Sequence, residues 1–482
     1  MVFKFDKKNI DSKFLKLISL IKHTGLSRYK FNDILAWGEV YGKILCANKA
    51  EIYRDDDFEK LLISKYIDAF GAASDQVKLS RELHVISTPL VSGGHTRLME
   101  RIINLRKSSD VLVTRSVISL KNKLRLPKEI KIYYSEHGFD LPRLVGIMSR
   151  YETVFLHIHP DDLLSSVAVG VAKKSASIKV IFVNHADHVF SFGFFCSDVV
   201  AEISSYGFFL SKNKRYVNSS FLGIPLDFKK IQKIVINKED KESVFFDILS
   251  AGSRLKYKPC SDLAFPLLAT RILKEIPTAK ITVVGPVLLA DWWWWKAKLK
   301  NPIRLKILPI LPYDEYTSIL GSADVYLDSF PATGGTALPE IRSKGIPVSG
   351  LLTGSFGYTP FDAAKFSEVD DLLVALKDYM LSRKGDILYK NNNKDIILNA
   401  MLVHRVDKVK DRLDGMVDSG YIFEPYDRST SFDIDFYRNK WRFDDVIRCG
   451  VSLLSIVLRN WFSGRIFGKI NNIIKKIIYR KC

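Results

Sequence analysis

Acidic residues are scarce in this chain, and near its C-terminal end they are missing. Against 73 Lys and Arg stand 53 Asp and Glu, a formal net charge of +20 over 482 residues. After Asp445 no acidic residue occurs, and from Arg442 onward nine Lys/Arg face two Asp. A surplus of that size favours an anionic partner: nucleic acid, an acidic membrane face or a phosphate-rich substrate. Cysteine is sparse too. Its five copies, at 46, 196, 260, 449 and 482, form no CxxC pair and no Cys/His ligand spacing. That argues against a disulfide scaffold and a zinc site. No apolar run reaches the roughly 18 residues that a spanning helix needs. The opening Met-Val-Phe-Lys-Phe-Asp-Lys-Lys lacks the apolar core of a signal peptide. The expectation is a cytoplasmic protein.

The apolar share, 47%, is ordinary for globular cores. The length suits about two to four domains. Residues 1–78 read as a charged helical extension, with Phe14, Leu15, Leu17, Ile18 and Ile21 at helical spacing. From Glu82 short β-rich runs alternate with helical stretches. A first series lies at 83–87, 111–114, 130–134, 153–158 and 179–183. A polar break at 237–242 is a candidate linker. A second series lies at 244–249, 279–284, 304–308 and 323–327. Strand alternating with helix predicts parallel sheets covered on both faces. The fold class is α/β: two doubly wound, Rossmann-like units facing a cleft, with ligand at the carboxyl ends of the strands. The first unit spans 79–236 and the second 237–400. A helical return follows over 401–445, and a basic tail over 446–482.

The most informative segment is Asp328-Ser-Phe-Pro-Ala-Thr-Gly-Gly-Thr-Ala-Leu-Pro-Glu340, between a strand and a helix starting near Thr336. The pair Gly334 and Gly335 lets a ligand approach the backbone. The first-turn N–H groups have no partner in the helix, and the helix dipole adds positive charge there. That end suits a diphosphate. Glu340, one turn in, reaches hydroxyls just beyond it, such as a ribose.

Other candidates lie at strand ends. The first βα turn, Pro89-Leu-Val-Ser-Gly-Gly-His-Thr-Arg97, holds Gly93, Gly94 and His95, with Arg97 a candidate for phosphate or an acidic acceptor. Asn184-His-Ala-Asp-His188 follows the strand 179–183. A histidine near neutral pKa, oriented by a carboxylate, can take a proton from an acceptor, and Asp187 beside His188 fits that pairing. His157 and His159 flank another strand end, followed by Pro160-Asp161-Asp162, which reads as the N-cap of a helix. The second unit opens with Ser250-Ala-Gly-Ser-Arg-Leu-Lys-Tyr-Lys-Pro259, whose Arg254 and Lys256 are cations near the same strand ends. Trp292–Trp295, four tryptophans in a row, have no assigned role.

The 328–340 segment resembles the donor-binding segment of GT-B glycosyltransferases, above all the group of O-GlcNAc transferase and the bacterial cytoplasmic N-glycosyltransferases. The matches are Asp328, Gly334, Thr336 and Glu340. Gly335 and Ala337 depart from the O-GlcNAc transferase pattern. The resemblance covers roughly residues 80 to 400. It implies that the Gly-x-Thr backbone holds the nucleotide diphosphate, that Glu340 binds the ribose, and that Lys256, three residues before Pro259, contacts the diphosphate. It likewise implies that the Gly93-Gly94 loop faces the transferred sugar and the acceptor. Charge building on the leaving diphosphate would be met by that cation and by N–H groups. No metal or other cofactor is then needed, and a UDP-sugar is the favoured donor.

The tail places apolar residues such as Ile447, Val451, Leu454, Leu458, Trp461, Phe462 and Ile466 at helical spacing. Arg448, Arg459, Arg465, Lys469, Lys475 and Lys476 fall mostly between them. Such amphipathic helices suit an anionic bilayer surface. Much of the charge sits there and no nucleic-acid motif occurs, so a membrane is favoured over nucleic acid. The expected function is hexosyl or N-acetylhexosaminyl transfer to a lipid-linked glycan at the inner membrane face, as in O-antigen or capsule assembly. The alternatives are a protein acceptor, a non-catalytic subunit binding nucleotide sugar or glycan, and an epimerase using the same cradle.

Overall fold

The computed structural model describes residues 31–48, 52–71, 78–90, 94–106, 108–120, 123–227, 245–259, 264–352, 361–382 and 401–425, with 19, 22, 23, 26 and 359 besides. Gly93, the polar break at 237–242 and the whole basic tail lie outside these residues, including Arg448, Arg459, Trp461, Arg465, Lys469, Lys475 and Lys476.

Helices α1 (Phe31–Asn48) and α2 (Asp56–Phe70) come first. Asp55 caps α2 by accepting from the Phe58 amide at 3.1 Å. Their apolar faces are not left to solvent. Trp37, Leu45, Phe58 and Leu62 are buried in the same core as Val154 and Val167 of the first domain. Each large apolar side chain buried this way contributes about 1.5–3 kcal/mol.

The first sheet contains β1 (Leu79–Ile86), β2 (Ser109–Val113), β3 (Ile132–Tyr133), β4 (Tyr151–His157), β5 (Lys179–Asn184), β6 (Val199–Glu202) and β7 (Ser219–Phe221). Their order is 3-2-1-4-5-6-7, and every pairing is parallel. The second contains β8 (Phe246–Ala251), β9 (Ala279–Val284), β10 (Leu305–Leu308), β11 (Val325–Leu327), β12 (Val348–Leu351) and β13 (Lys365–Phe366), in the order 10-9-8-11-12-13, again all parallel. β2 and β6 are buried at every position. Helices on both faces cause this, and it is why such strands read as short continuous apolar runs. The strand order reverses between β1 and β4 in one sheet and between β8 and β11 in the other. A crevice opens at the carboxyl ends at each reversal.

Helices of the first domain pack against strands of its sheet. Helix α3 (Gly94–Leu105) follows β1. Helix α4 (Leu141–Met148) is capped by Asp140. Helix α5 (Leu163–Ser175) is capped by Asp162, which accepts from the Ser165 amide at 3.0 Å, as the Pro-Asp-Asp run predicts. The chain finally returns to the first domain. A helix at Val406–Asp414 buries Val409 and Leu413 against Leu222 and Ile224. Arg106 holds it through Asp414 at 2.6 Å and Asp418 at 3.2 Å. Among the described residues no helix is long and apolar enough to cross a membrane.

Candidate functional site

The segment 328–340 leaves the carboxyl end of β11 and enters a short helix at Ala337–Ser343. Asp328 shapes this turn from within. It is buried, and its Oδ1 accepts from the amides of Ser329 and Gly334, both at 2.9 Å. Its Oδ2 pairs with Lys365 at 2.9 Å, and Lys365 also pairs with Asp362 at 2.8 Å. Burial alone would lower the Lys365 pKa, but these two carboxylates outweigh it and hold the pKa above the ordinary lysine value. Asp328 is thus engaged in holding the glycine turn in place.

That turn forms one wall of a cavity of about 320 Å³ at the cleft between the domains. Gly335, Thr336 and Glu340 line it, together with Lys256 and the backbone at Gly252 and Gly285. A β-carbon on Gly285, whose φ is +121°, would stand 1.8 Å from the Gly252 carbonyl oxygen, so only glycine fits there. Gly94 and Arg97 of the first domain close the opposite side. Here the domains touch: a β-carbon on Gly94 would meet the Thr336 hydroxyl oxygen at 2.2 Å. Arg101 on α3 also pairs with Glu340 at 2.9 Å across the cleft.

Lys256 lies on a 3₁₀ turn at Arg254–Tyr257 and donates to the Thr333 carbonyl at 2.8 Å. Burial lowers its pKa, Asp328 partly opposes this, and Lys365 adds to it. A desolvated ammonium beside glycine backbone is suited to a polyanion. Arg254 points elsewhere. It pairs with buried Asp291 at 2.7 Å and does not line the cavity. Arg97 lines it, while its guanidinium binds Glu100 and donates to the Lys123 carbonyl at 2.7 Å.

The second chemical cluster sits at the β1/β4 reversal of the first sheet. His95 enters from the start of α3, His159 follows β4 and His185 follows β5. The His95 ring stacks on His185 at 4.9 Å and meets His159 edge-on at 5.2 Å. Burial, then the neighbouring His159, pushes the His95 pKa down to about 4, so the ring is neutral at physiological pH. His188 lies three residues after His185 on the loop that follows β5, and its Nδ1 lies 3.3 Å from Asp187 Oδ1. Asp187 is buried, takes the Ser204 hydroxyl on its other oxygen, and has its pKa pushed up to about 6 by burial. Arg215 donates to the Asp187 backbone carbonyl and, at 2.9 Å, to Ser211, whose hydroxyl binds the buried Glu202. This network fixes the loop that carries His188. Among the described residues no group of three or more His, Cys, Asp or Glu is arranged to hold a metal ion.

The structure therefore brings His95 into ring contact with His159 and His185, pairs His188 with Asp187 on the loop after β5, and sets Gly94, Lys256, Gly335, Thr336 and Glu340 around one cavity. Gly334 and Asp328 build the turn behind it. Three features escaped sequence reasoning: the stacking of His185 on His95, the Arg101–Glu340 bridge and the Arg215–Glu202 support. Only for His185 was a signal available, its place just past a strand end beside two other candidates.

Two facing Rossmann-like domains with a returning C-terminal helix define the GT-B glycosyltransferase fold. Among solved structures, HepE from Anabaena in complex with UDP and glucose is similar at a TM-score of 0.51 and 12% identity, covering 71% of this chain and 100% of that one. The same protein with UDP-glucose gives 0.51 and 13%, covering 70% and 99%. A mutant O-GlcNAc transferase from Thermobaculum terrenum aligns at 0.41 and 14%, covering 92% and 83%. At such identities the likeness is one of fold. No family model matches the chain, and no curated protein matches its sequence.

Proposed function

We propose that the chain is a glycosyltransferase. It moves a hexosyl or N-acetylhexosaminyl group from a nucleoside-diphosphate donor, a UDP-sugar, to a lipid-linked glycan at the inner membrane face, as in surface-polysaccharide assembly. The observation that carries this reading is the interdomain cavity, with Lys256, Gly335 and Thr336 on one wall and Gly94 on the other. The diphosphate lies against the glycine turn, and Lys256 meets the charge that grows on it as the sugar leaves. No metal is required for that step. Glu340 takes the ribose hydroxyls. The similar fold of HepE, solved with UDP and glucose and with UDP-glucose, supports the choice of nucleotide.

On the acceptor side His188, oriented by Asp187, removes the acceptor proton, and neutral His95 hydrogen-bonds the sugar. The basic tail over 446–482 brings the enzyme to the lipid surface, the tail's Arg and Lys facing lipid phosphates.

The test is a thermal-shift panel of UDP-, GDP-, dTDP- and CMP-sugars with the parent, Lys256→Ala and Glu340→Ala. Stabilisation by UDP-sugars alone, lost in both variants, is the expected result. Donor consumption without any acceptor would move the reading to an epimerase or hydrolase. No response from folded protein would sink it.

A further inference from the structure

The four consecutive tryptophans take no part in the donor cavity or the histidine cluster, and the structure divides them. Trp294 is fully buried beside Tyr257 and Phe265 and belongs to the core of the second domain. Trp292 and Trp295 are 68% and 49% exposed, Leu299 is 81% exposed, and Leu289 just before them 89%. Trp292, Trp295 and Leu299 are spaced three and four residues apart across a 3₁₀ turn and the helix Trp295–Lys300. That spacing puts them on one face. The Trp295 indole donates to the Leu288 carbonyl at 2.7 Å, which ties the preceding loop to the same face.

The exposed charge within this segment has one sign. Lys296, Lys298, Lys300, Arg304 and Lys306 come next in the chain, and no acidic residue occurs between Asp291 and Asp314. Asp291 is fully buried and turned inward onto Arg254, so it does not neutralise the surface. Lys298 and Arg304 are spent on backbone carbonyls, whereas Lys296 and Lys300 are exposed beside the tryptophans. Protein interfaces are enriched in tryptophan but depleted in lysine. Tryptophan and leucine flanked by lysine is the composition of surfaces that sit in a bilayer's headgroup region.

We infer that Leu289, Trp292, Trp295 and Leu299, with Lys296 and Lys300, form a membrane-docking face of the second domain that takes anionic phospholipid. The segment leaves the carboxyl end of β9, where Val284 and Gly285 line the donor cavity. Docking here holds the cleft close to the lipid surface. The face stands on its own residues; that it serves a lipid-linked acceptor rests on the proposed transferase function.

The test is partition of the full chain onto vesicles of phosphatidylglycerol with phosphatidylcholine, and onto phosphatidylcholine alone. Three variants run beside the parent: Trp292→Ala/Trp295→Ala/Leu299→Ala, Lys296→Glu/Lys300→Glu, and a tail variant Lys469→Glu/Lys475→Glu/Lys476→Glu. The apolar triple should lower partition onto anionic vesicles by about tenfold or more, the change that roughly 1.4 kcal/mol of lost contact gives. The lysine pair should lower it on anionic vesicles only. Both effects should persist in the tail-variant background. The nucleotide response should be unchanged, and thermal unfolding should shift only slightly, because the altered side chains are exposed and the one bond lost is that of Trp295 to the Leu288 carbonyl. Parental partition by the apolar triple overturns the inference, even where the tail variant has lost binding. A triple variant that binds vesicles normally but loses self-association overturns it in favour of a second copy. Binding lost in the patch variants but kept in the tail variant supports the patch and removes the tail from the functional reading.

Discussion

Replacing Asp328 with Asn tests whether this carboxylate builds the donor turn or touches the donor. Asn retains an oxygen that can accept from the Ser329 and Gly334 amides, now 2.9 Å away. What it removes is the charge facing Lys365 at 2.9 Å, a side chain with no exposure. Stranding one member of a buried pair costs about 3–5 kcal/mol. Asp362 still holds Lys365 at 2.8 Å, so the expected loss is near the low end, about 3 kcal/mol. Lys365→Met alone leaves both Asp328 and Asp362 without their cation, so the double variant Asp328→Asn/Lys365→Met should lose less than the sum of the two single changes, a coupling of about 2 kcal/mol in a double-mutant cycle. Urea unfolding followed by tryptophan fluorescence suits the purpose, since four of the seven tryptophans, Trp292–Trp295, belong to the second domain. The donor-induced thermal shift should fall together with stability in Asp328→Asn. The reasoning is refuted if Asp328→Asn unfolds within about 1 kcal/mol of the parent while losing nucleotide binding, for then the carboxylate contacts ligand.

The same geometry fixes three other outcomes. Arg101→Ala removes a partly exposed ion pair, so stability should change by less than about 1 kcal/mol. It also frees Glu340, and donor affinity by calorimetry should rise up to about fivefold; weaker binding would show that Arg101 itself holds the donor. Asp187→Asn should lower kcat with little change in donor affinity, read from initial rates against UDP-sugar, because it acts through the orientation of His188. Glu59 is buried between α2 and α5, and burial, opposed by Ser166 and the Gly193 amide, pushes its carboxyl from 4.5 to about 8. The folded state therefore binds the extra proton. Its stabilising contribution is complete below about pH 4.5 and is lost as pH rises through about 8. Glu59→Gln should flatten that part of the stability–pH curve, and an unchanged slope would place the titrating group elsewhere.

How far the sequence discloses this molecule depends on whether a feature is local. The central strands β1, β4, β5, β8 and β9 are apolar runs flanked by helical stretches, and their residues announce them. β6, β7 and β13 escape. Ser219-Ser-Phe221 and Lys365-Phe366 have too few β-branched residues to register, and they become strands only because neighbouring strands already offer an edge. The glycine turn is legible because its glycines and the strand before it are contiguous. The pairing that stabilises the turn is not, since Lys365 reads as a solvated lysine until β13 places it against Asp328. The same holds for Glu59, Glu202 and Arg215: charge in a sequence suggests solvent, and only the packing shows these groups inside. Arg254 shows the reverse error. In sequence it sits as well for phosphate as Lys256, two residues on, but Asp291 follows β9 closely enough to claim it. A cation's neighbours in the chain locate it at the strand ends. Which anion it meets is decided by a carboxylate more than thirty residues away.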